Sequence, residues 1–281
     1  MRDIRKKLLG LGMILVFSMG VTPVYARQTM DVVRENAPSV FSPAPELVTY
    51  SNGSTITIDD FPKETFLKYR GAYVLRDESL ARKTLVQMFT DDYFASYNVL
   101  DKTKSFVTTA GETFNSEEGT YTHVVDIEKE IDALCEQFKE GRTDLCRYPV
   151  ATTSCGYLES GTYIEVSIDE QHLWYYENGT LIIESDIVTG TKGRCDTPTG
   201  FYYIDWRKDG KYLTGPGYRV WVDEWMHCIP DNIGLHDASW RDSFGGEIYN
   251  EDGSHGCINL PPKFAAELYD CTNVGTPVVV Y

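Results

Sequence analysis

Positive charge is scarce in this chain. Lys and Arg total 26 against 42 Asp and Glu, a net charge of −16 over 281 residues, and so acidic a surface repels phosphate backbones, which excludes a nucleic-acid partner. Long apolar runs are missing as well. Beyond residue 26 no stretch approaches the roughly 18–20 apolar residues that a membrane-spanning helix needs. None of the seven cysteines forms a Cys-x-x-Cys pair, so the spacing of common structural zinc sites is absent. There is no internal repeat and no low-complexity tract. With 42% hydrophobic and 24% charged residues, the composition is that of ordinary globular domains, and the length fits two modest ones.

The one apolar run is N-terminal. Arg2, Arg5, Lys6 and Lys7 precede the stretch from Leu8 to Val21, and Val24-Tyr25-Ala26 offers a small-residue cleavage site. Residues 1–26 therefore read as an export signal cut after Ala26, which predicts an exported protein. The alternative is a retained anchor, although Gly10, Gly12 and Gly20 interrupt a run already too short to span a bilayer. Membrane contact is expected only through this signal. Its removal takes four basic and one acidic side chain with it, shifting the net charge from −16 to −19. Nothing in the sequence speaks to oligomeric state.

Residues 27–45, with Pro38, Pro43 and Pro45, read as a spacer. Residues 46–150 are mixed in pattern. Leu80, Leu85, Met88 and Phe89 fit one helical face with Ser79 as a cap, and Ile127, Ile131, Leu134 and Phe138 predict a second helix running from Asp126 to Gly141. Runs bearing threonine and valine between them, broken by Gly111 and Gly119, suggest strands. Arg147 to Gly161 reads as a linker. From residue 162 to 281 the pattern is densely β. Ile164, Val166 and Ile168 alternate with polar neighbours, and Leu173–Tyr176 with Leu181–Val188 form a hairpin, since Asn178-Gly179 accepts the positive φ of a tight turn. Phe201–Trp206, Tyr218–Val222 and Pro277–Tyr281 add strands, and Lys263–Asp270, introduced by Pro261-Pro262, is the one convincing helix. The expected fold class is a mainly β C-terminal domain with one short helix, preceded by a smaller α+β domain. Core packing is the default expected of Trp206, Trp221, Trp225 and Trp240, and a structural role that of His123 and His172.

Chemistry concentrates in Ser254-His255-Gly256-Cys257. A nucleophilic cysteine needs a neighbouring imidazole to lower its pKa and take its proton. Glycine before the thiol lets the backbone turn its N–H groups toward one point, as an oxyanion hole requires. Two histidines compete for the base. His255 is constrained by its closeness to Cys257, whereas His236, in Gly234-Leu235-His236-Asp237, can approach from a separate segment and is preferred. Asp237 would hold that ring through either its carbonyl or its carboxylate. His227, Cys228, His236, His255 and Cys257 also supply zinc-ligand types, but not in the usual spacing, so no metal is expected. Seven cysteines leave one free if six pair, and Cys195 with Cys228 is the pairing favoured.

Taken together, Gly234-Leu235-His236-Asp237-Ala238-Ser239-Trp240-Arg241, Phe244-Gly245-Gly246 and Gly253-Ser254-His255-Gly256-Cys257-Ile258-Asn259-Leu260-Pro261 resemble the catalytic signature of the L,D-transpeptidases, the YkuD-domain family. Val188-Thr189-Gly190 and Thr197-Pro198-Thr199-Gly200 resemble that family's upstream strand and turn, and the likeness spans residues 162–281. Residues 83–150, notably Phe106-Val107-Thr108-Thr109-Ala110-Gly111, resemble the peptidoglycan-binding module that precedes the catalytic domain in Gram-positive members; residues 46–82 would be the remnant of a further module. Cys195 and Cys228 depart from the general pattern.

The resemblance implies a YkuD-like sandwich and peptidoglycan stem peptides as partners, a donor tetrapeptide and an acceptor stem. Cys257 would attack the carbonyl of the donor's diamino acid, the N–H groups of His255, Gly256 and Cys257 would stabilise the oxyanion, and His236 would release D-alanine. The acceptor's amine would then complete a 3-3 cross-link, or water an L,D-carboxypeptidase reaction, without any cofactor. Ser254 and Asp237 would support the machinery, while Trp240, Asn259 and Arg241 would meet substrate. Arg241 could equally pair with an acidic neighbour. Carbapenems would acylate Cys257. The rival class is a wall-binding protein without turnover.

Overall fold

The computed structural model describes residues 44–90, 92–98, 103–215 and 217–281. The expected export signal, and the spacer apart from its last two residues, lie outside them. Residues 44–281 form one compact unit.

The N-terminal part is α+β. Strands β1 (Glu46–Tyr50), β2 (Thr55–Thr57) and, from much later in sequence, β7 (Asp144–Arg147) form a sheet in the order β2-β1-β7. Two hairpins, β3 (Phe66–Tyr69) with β4 (Ala72–Leu75) and β5 (Lys104–Val107) with β6 (Thr113–Ser116), accompany helices α1 (Glu78–Met88) and α2 (Ile127–Lys139). Helix α2 starts where its cap predicts: the Asp126 carboxylate accepts the Lys129 N–H, and Gly141 takes a positive φ of 65° just past the end. For α1 the cap is Asp77 rather than the expected Ser79, because the Asp77 side chain is the one that reaches the Leu80 N–H. Ile131, Leu134 and Phe138 of α2 join Leu85, Val48, Tyr50 and Ile56 in a separate core. The carboxylate of Glu130, fully buried, is held by Tyr50, Arg147 and the Val150 N–H at 2.7–2.8 Å. The stretch expected as a linker after Arg147 packs Tyr148 and Tyr157 against this core.

From residue 163 onward two sheets face each other. The first runs β10 (Thr180–Asp186), β9 (His172–Glu177), β8 (Tyr163–Ser167), β16 (Pro277–Val280), β11 (Gly200–Tyr203). The second runs β12 (Trp206–Gly215), β13 (Tyr218–Ile229), β14 (Ile233–Asp237), β15 (Ile258–Leu260). Ile164, Val166, Leu173, Val278 and Val280 of the first meet Met226, Leu235, Ile258 and Leu260 of the second, with Phe264, Ala265 and Leu268 of α4 (Pro262–Cys271) against them. Each of the larger of these side chains contributes about 1.5–3 kcal/mol by leaving water. The sandwich is the expected one, but it carries a second helix, α3 (Ile248–Asp252), where the polar sequence reads as loop.

The outer face of the first sheet is covered by the N-terminal part. Phe114 stacks on Phe201 at 5.4 Å, and the buried Glu165 carboxylate accepts from the Thr109 N–H (2.7 Å), the Thr109 hydroxyl (2.8 Å) and the Tyr281 hydroxyl (2.6 Å). The outer face of the second sheet is therefore the one left for a site.

All seven cysteines are free thiols. The favoured Cys195–Cys228 pairing is not formed: Cys228 points into the sandwich core, whereas Cys195 lies in the loop between β10 and β11. Of the four tryptophans expected in the core, only Trp225 is buried; Trp206, Trp221 and Trp240 are exposed.

Candidate active site

Strands β14 and β15 are parallel neighbours, with Leu235 opposite Ile258 and His236 opposite Asn259. Because side chains alternate along a strand, Leu235, Ile258 and Leu260 all turn into the core. His236, Asn259 and, one residue before β15, Cys257 share the other face. The sheet register thus brings together two segments twenty residues apart.

Their shared face opens on a cleft of about 250 Å³, lined by His236, Trp240, Arg241, Ser254, His255, Cys257 and Asn259 and walled by Leu213, Tyr218 and Val220 of the β12–β13 hairpin. Every lining residue lies between 213 and 259.

The loop bearing Cys257 is braced from below. The Ser254 hydroxyl donates to the Cys257 carbonyl (2.5 Å) and accepts the Gly256 N–H (2.9 Å). The Ser254 N–H is bonded to the Thr189 carbonyl, and the Thr191 N–H to the Ser254 carbonyl. The Thr197 hydroxyl accepts the Gly190 N–H (2.9 Å) and donates to the Gly256 carbonyl (2.7 Å). Gly256 has φ +116°, a conformation that L side chains rarely adopt and that calls for glycine. One expectation is corrected: the Gly256 N–H is taken by Ser254, and is not offered to an oxyanion.

His236 is almost wholly buried, its ring stacked on Trp225 at 5.7 Å and near Trp240 at 5.9 Å. Its Nδ1 lies 2.7 Å from the Asp237 carbonyl. Of the two routes by which Asp237 might have held the ring, the carbonyl is the one used; the carboxylate instead accepts the N–H groups of Asp223 (2.7 Å) and Glu224 (3.1 Å). Burial raises the Asp237 carboxyl above the usual carboxylate range, opposed by those two N–H groups. Burial also lowers His236 to about 4, the Asp237 carbonyl working against it and the charges of Lys211 and Arg241 with it.

Burial pushes the Cys257 thiol up, countered by the Gly234 N–H and by Lys211. At neutral pH the resting pair is therefore thiol and neutral imidazole. His255 stacks on Tyr218 at 5.2 Å, outside this pairing.

Arg241 and Asn259, which line the cleft, each carry a buried side-chain atom without a hydrogen-bond partner. Arg241 Nε has no partner, while its Nη1 pairs with the exposed Asp252 at 3.2 Å, and Asn259 Oδ1 is likewise unpartnered. One is a donor and the other an acceptor.

Several residues around the site escape the sequence reading. Lys211 places its ammonium 3.7 Å from the Trp225 ring centre and 2.8 Å from Asn232 Oδ1. Asn232, at φ +60° in the β13–β14 turn, faces Cys257 Sγ with its carbonyl at 3.9 Å. His227 pairs with Asp205 and stacks on Trp206, and Cys228 is in the core, so neither joins a ligand set with Cys257.

Comparison with known proteins follows the same segment. The profile of the L,D-transpeptidase catalytic domain (YkuD) matches residues 161–280. Among curated protein sequences none matches the chain. Among solved structures, a cysteine-to-serine mutant of Enterococcus faecium L,D-transpeptidase is 31% identical, with a TM-score of 0.55 and coverage of 83% of this chain and 94% of that one. The Ldtfm–avibactam carbamoyl enzyme is 30% identical, with a TM-score of 0.54 and coverage of 83% and 92%.

Proposed function

The chain belongs to the L,D-transpeptidase family, and from that premise we propose that it is an exported enzyme that forms 3-3 cross-links in peptidoglycan through a Cys257 acyl-enzyme. The observation that carries the reading is the cleft that Cys257, His236, Arg241 and Asn259 line together, the last two each with an unpartnered polar atom.

In the first half-reaction His236 Nε2 takes the thiol proton as Cys257 Sγ bonds to the carbonyl carbon of the third residue of a stem tetrapeptide. The N–H groups of His255 and Cys257 hold the oxyanion. The C–N bond to D-alanine then breaks, and protonated His236 gives its proton to the departing amine. With a pKa near 4, the imidazolium is a strong acid at neutral pH and transfers that proton readily. In the second half-reaction the side-chain amine of another stem's diamino acid attacks the thioester, His236 accepts its proton, and the thiol is regenerated. Water in place of that amine gives a trimmed tripeptide. No external energy source is needed, because a thioester links the peptide bond broken to the one made.

Arg241 is suited to a substrate carboxylate and Asn259 to a substrate amide, since both line the cleft and neither has its side-chain hydrogen bonding filled by the protein. Trp240, exposed at the rim beside His236, offers an apolar contact.

A carbapenem tests the nucleophile. Intact-mass spectrometry is expected to show one covalent adduct on the wild type and none on Cys257→Ala; an adduct that survives the substitution would move the nucleophile elsewhere.

A further inference from the structure

Lys211 is the one cation whose ammonium is built into the wall behind Cys257, and it has no carboxylate partner among the described residues. Its Nζ is bonded to Asn232 Oδ1 at 2.8 Å and lies 3.7 Å from the centre of the Trp225 ring and 4.7 Å from that of Trp206. Each of these fixes the charge without neutralising it. Asn232 and Trp225 are also the residues that touch the reacting pair. The Asn232 carbonyl is 3.9 Å from Cys257 Sγ, the Trp225 ring stacks on His236, and Cys257 packs against the cluster of Leu213, Val222 and Trp225. A β-hairpin register that sets Lys211 opposite Val222 brings the ammonium to that cluster.

We propose that Lys211 is a positioning residue: its anchored charge stabilises negative charge on Cys257 Sγ before that charge passes to the carbonyl oxygen, and disfavours the His236 imidazolium, which then gives up its proton to the departing amine. This rests on the reading of Cys257 as nucleophile and His236 as base. The other ionisable groups facing the pair are few. Cys228 lies behind Cys257 on β13, His255 beside it on the loop with Tyr218 stacked on it across the cleft, Arg241 and Asp237 border His236, and Lys208 shares the Lys211 strand. Arg241 acts on His236 alone, and its charge is shared with Asp252. Consistent with the geometry, Lys211 lowers the pKa of both Cys257 and His236, while burial lowers its own.

Titrating the thiol tests the proposal without requiring turnover. The full-length protein is alkylated with iodoacetamide across a pH series, and modification of the peptide containing Cys257 is followed by mass spectrometry. In Lys211→Met the ionisation midpoint of Cys257 is expected to rise by on the order of one pH unit, and in Lys211→Arg to stay near the wild-type value. Asn232→Gly tolerates the positive φ and frees the ammonium from its anchor, so a smaller upward shift is expected; this variant decides the matter if Lys211→Met fails to fold. A midpoint in folded Lys211→Met equal to that of the wild type, or an arginine variant behaving like methionine, overturns the proposal. A shifted midpoint in a protein that makes no peptidoglycan product would leave the role of Lys211 standing and remove the transpeptidase reading instead.

Discussion

Nδ1 of His236 lies 2.7 Å from the backbone carbonyl of Asp237. A carbonyl can only accept, so Nδ1 carries the proton and the lone pair sits on Nε2, the nitrogen left free to accept a proton. The next residue in the chain therefore sets the tautomer with its main chain. Its carboxylate is spent on tying β14 to β13 through the N–H groups of Asp223 and Glu224.

Burying a neutral imidazole makes stability depend on pH. His236 titrates at about 4 in the folded protein against an ordinary 6.5, so between these values the unfolded chain binds a proton that the folded one does not. Stability from this group is present in full above pH 6.5 and lost as pH falls toward 4, a change of about 3 kcal/mol. His236→Asn keeps a donor for the Asp237 carbonyl but has no titration. Urea unfolding at pH 7 and pH 4 is expected to show a smaller acid loss in this variant by about that amount; equal losses in both proteins would mean that His236 titrates normally.

Glu130→Ala removes the acceptor of a buried cluster and strands the guanidinium of Arg147, whose Nε and Nη2 bond Glu130 at 2.7 and 2.8 Å. Breaking one partner of such a pair costs about 3–5 kcal/mol. Chemical denaturation is expected to report a loss of this size, while carbapenem adduct formation at a temperature where the variant is folded stays near wild type, because the cleft draws no residue from this region.

Gly256→Ala is expected to cut transpeptidation by about 100-fold or more while the fold survives. A Cβ at φ +116° forces the loop to shift, and the N–H groups of His255 and Cys257 shift with it. A steady-state assay beside circular dichroism checks this, and a fully active alanine variant would show that the loop geometry is not used.

How far the sequence reaches depends on whether the information is local. The β-alternation of 163–167, the Asn178-Gly179 turn and the caps of α2 are set by neighbouring residues, and all are found where the pattern predicts. Helix α3 is missed because five polar-rich residues hold less than two turns of periodicity. Strand β12 is mostly missed because it buries only Leu213, so Arg207, Lys208, Asp209 and Lys211 hide it among charges. That omission conceals Lys211, whose place beside Cys257 arises from strand register alone. Cys257 and His236 each stand out in a short distinctive segment, and the parallel pairing of β14 with β15 is what sets both against one cleft.

The most direct measurement incubates the full-length protein, folded and with Cys257 reduced, with a disaccharide-tetrapeptide and follows the products by mass spectrometry. The expected result is a 3-3 linked dimer with loss of one D-alanine, accompanied by an acyl adduct on Cys257 and absent from Cys257→Ala. Recovery of the tetrapeptide alone, with neither dimer nor tripeptide, would contradict the assignment of Cys257 and His236 as an acyl-transfer pair.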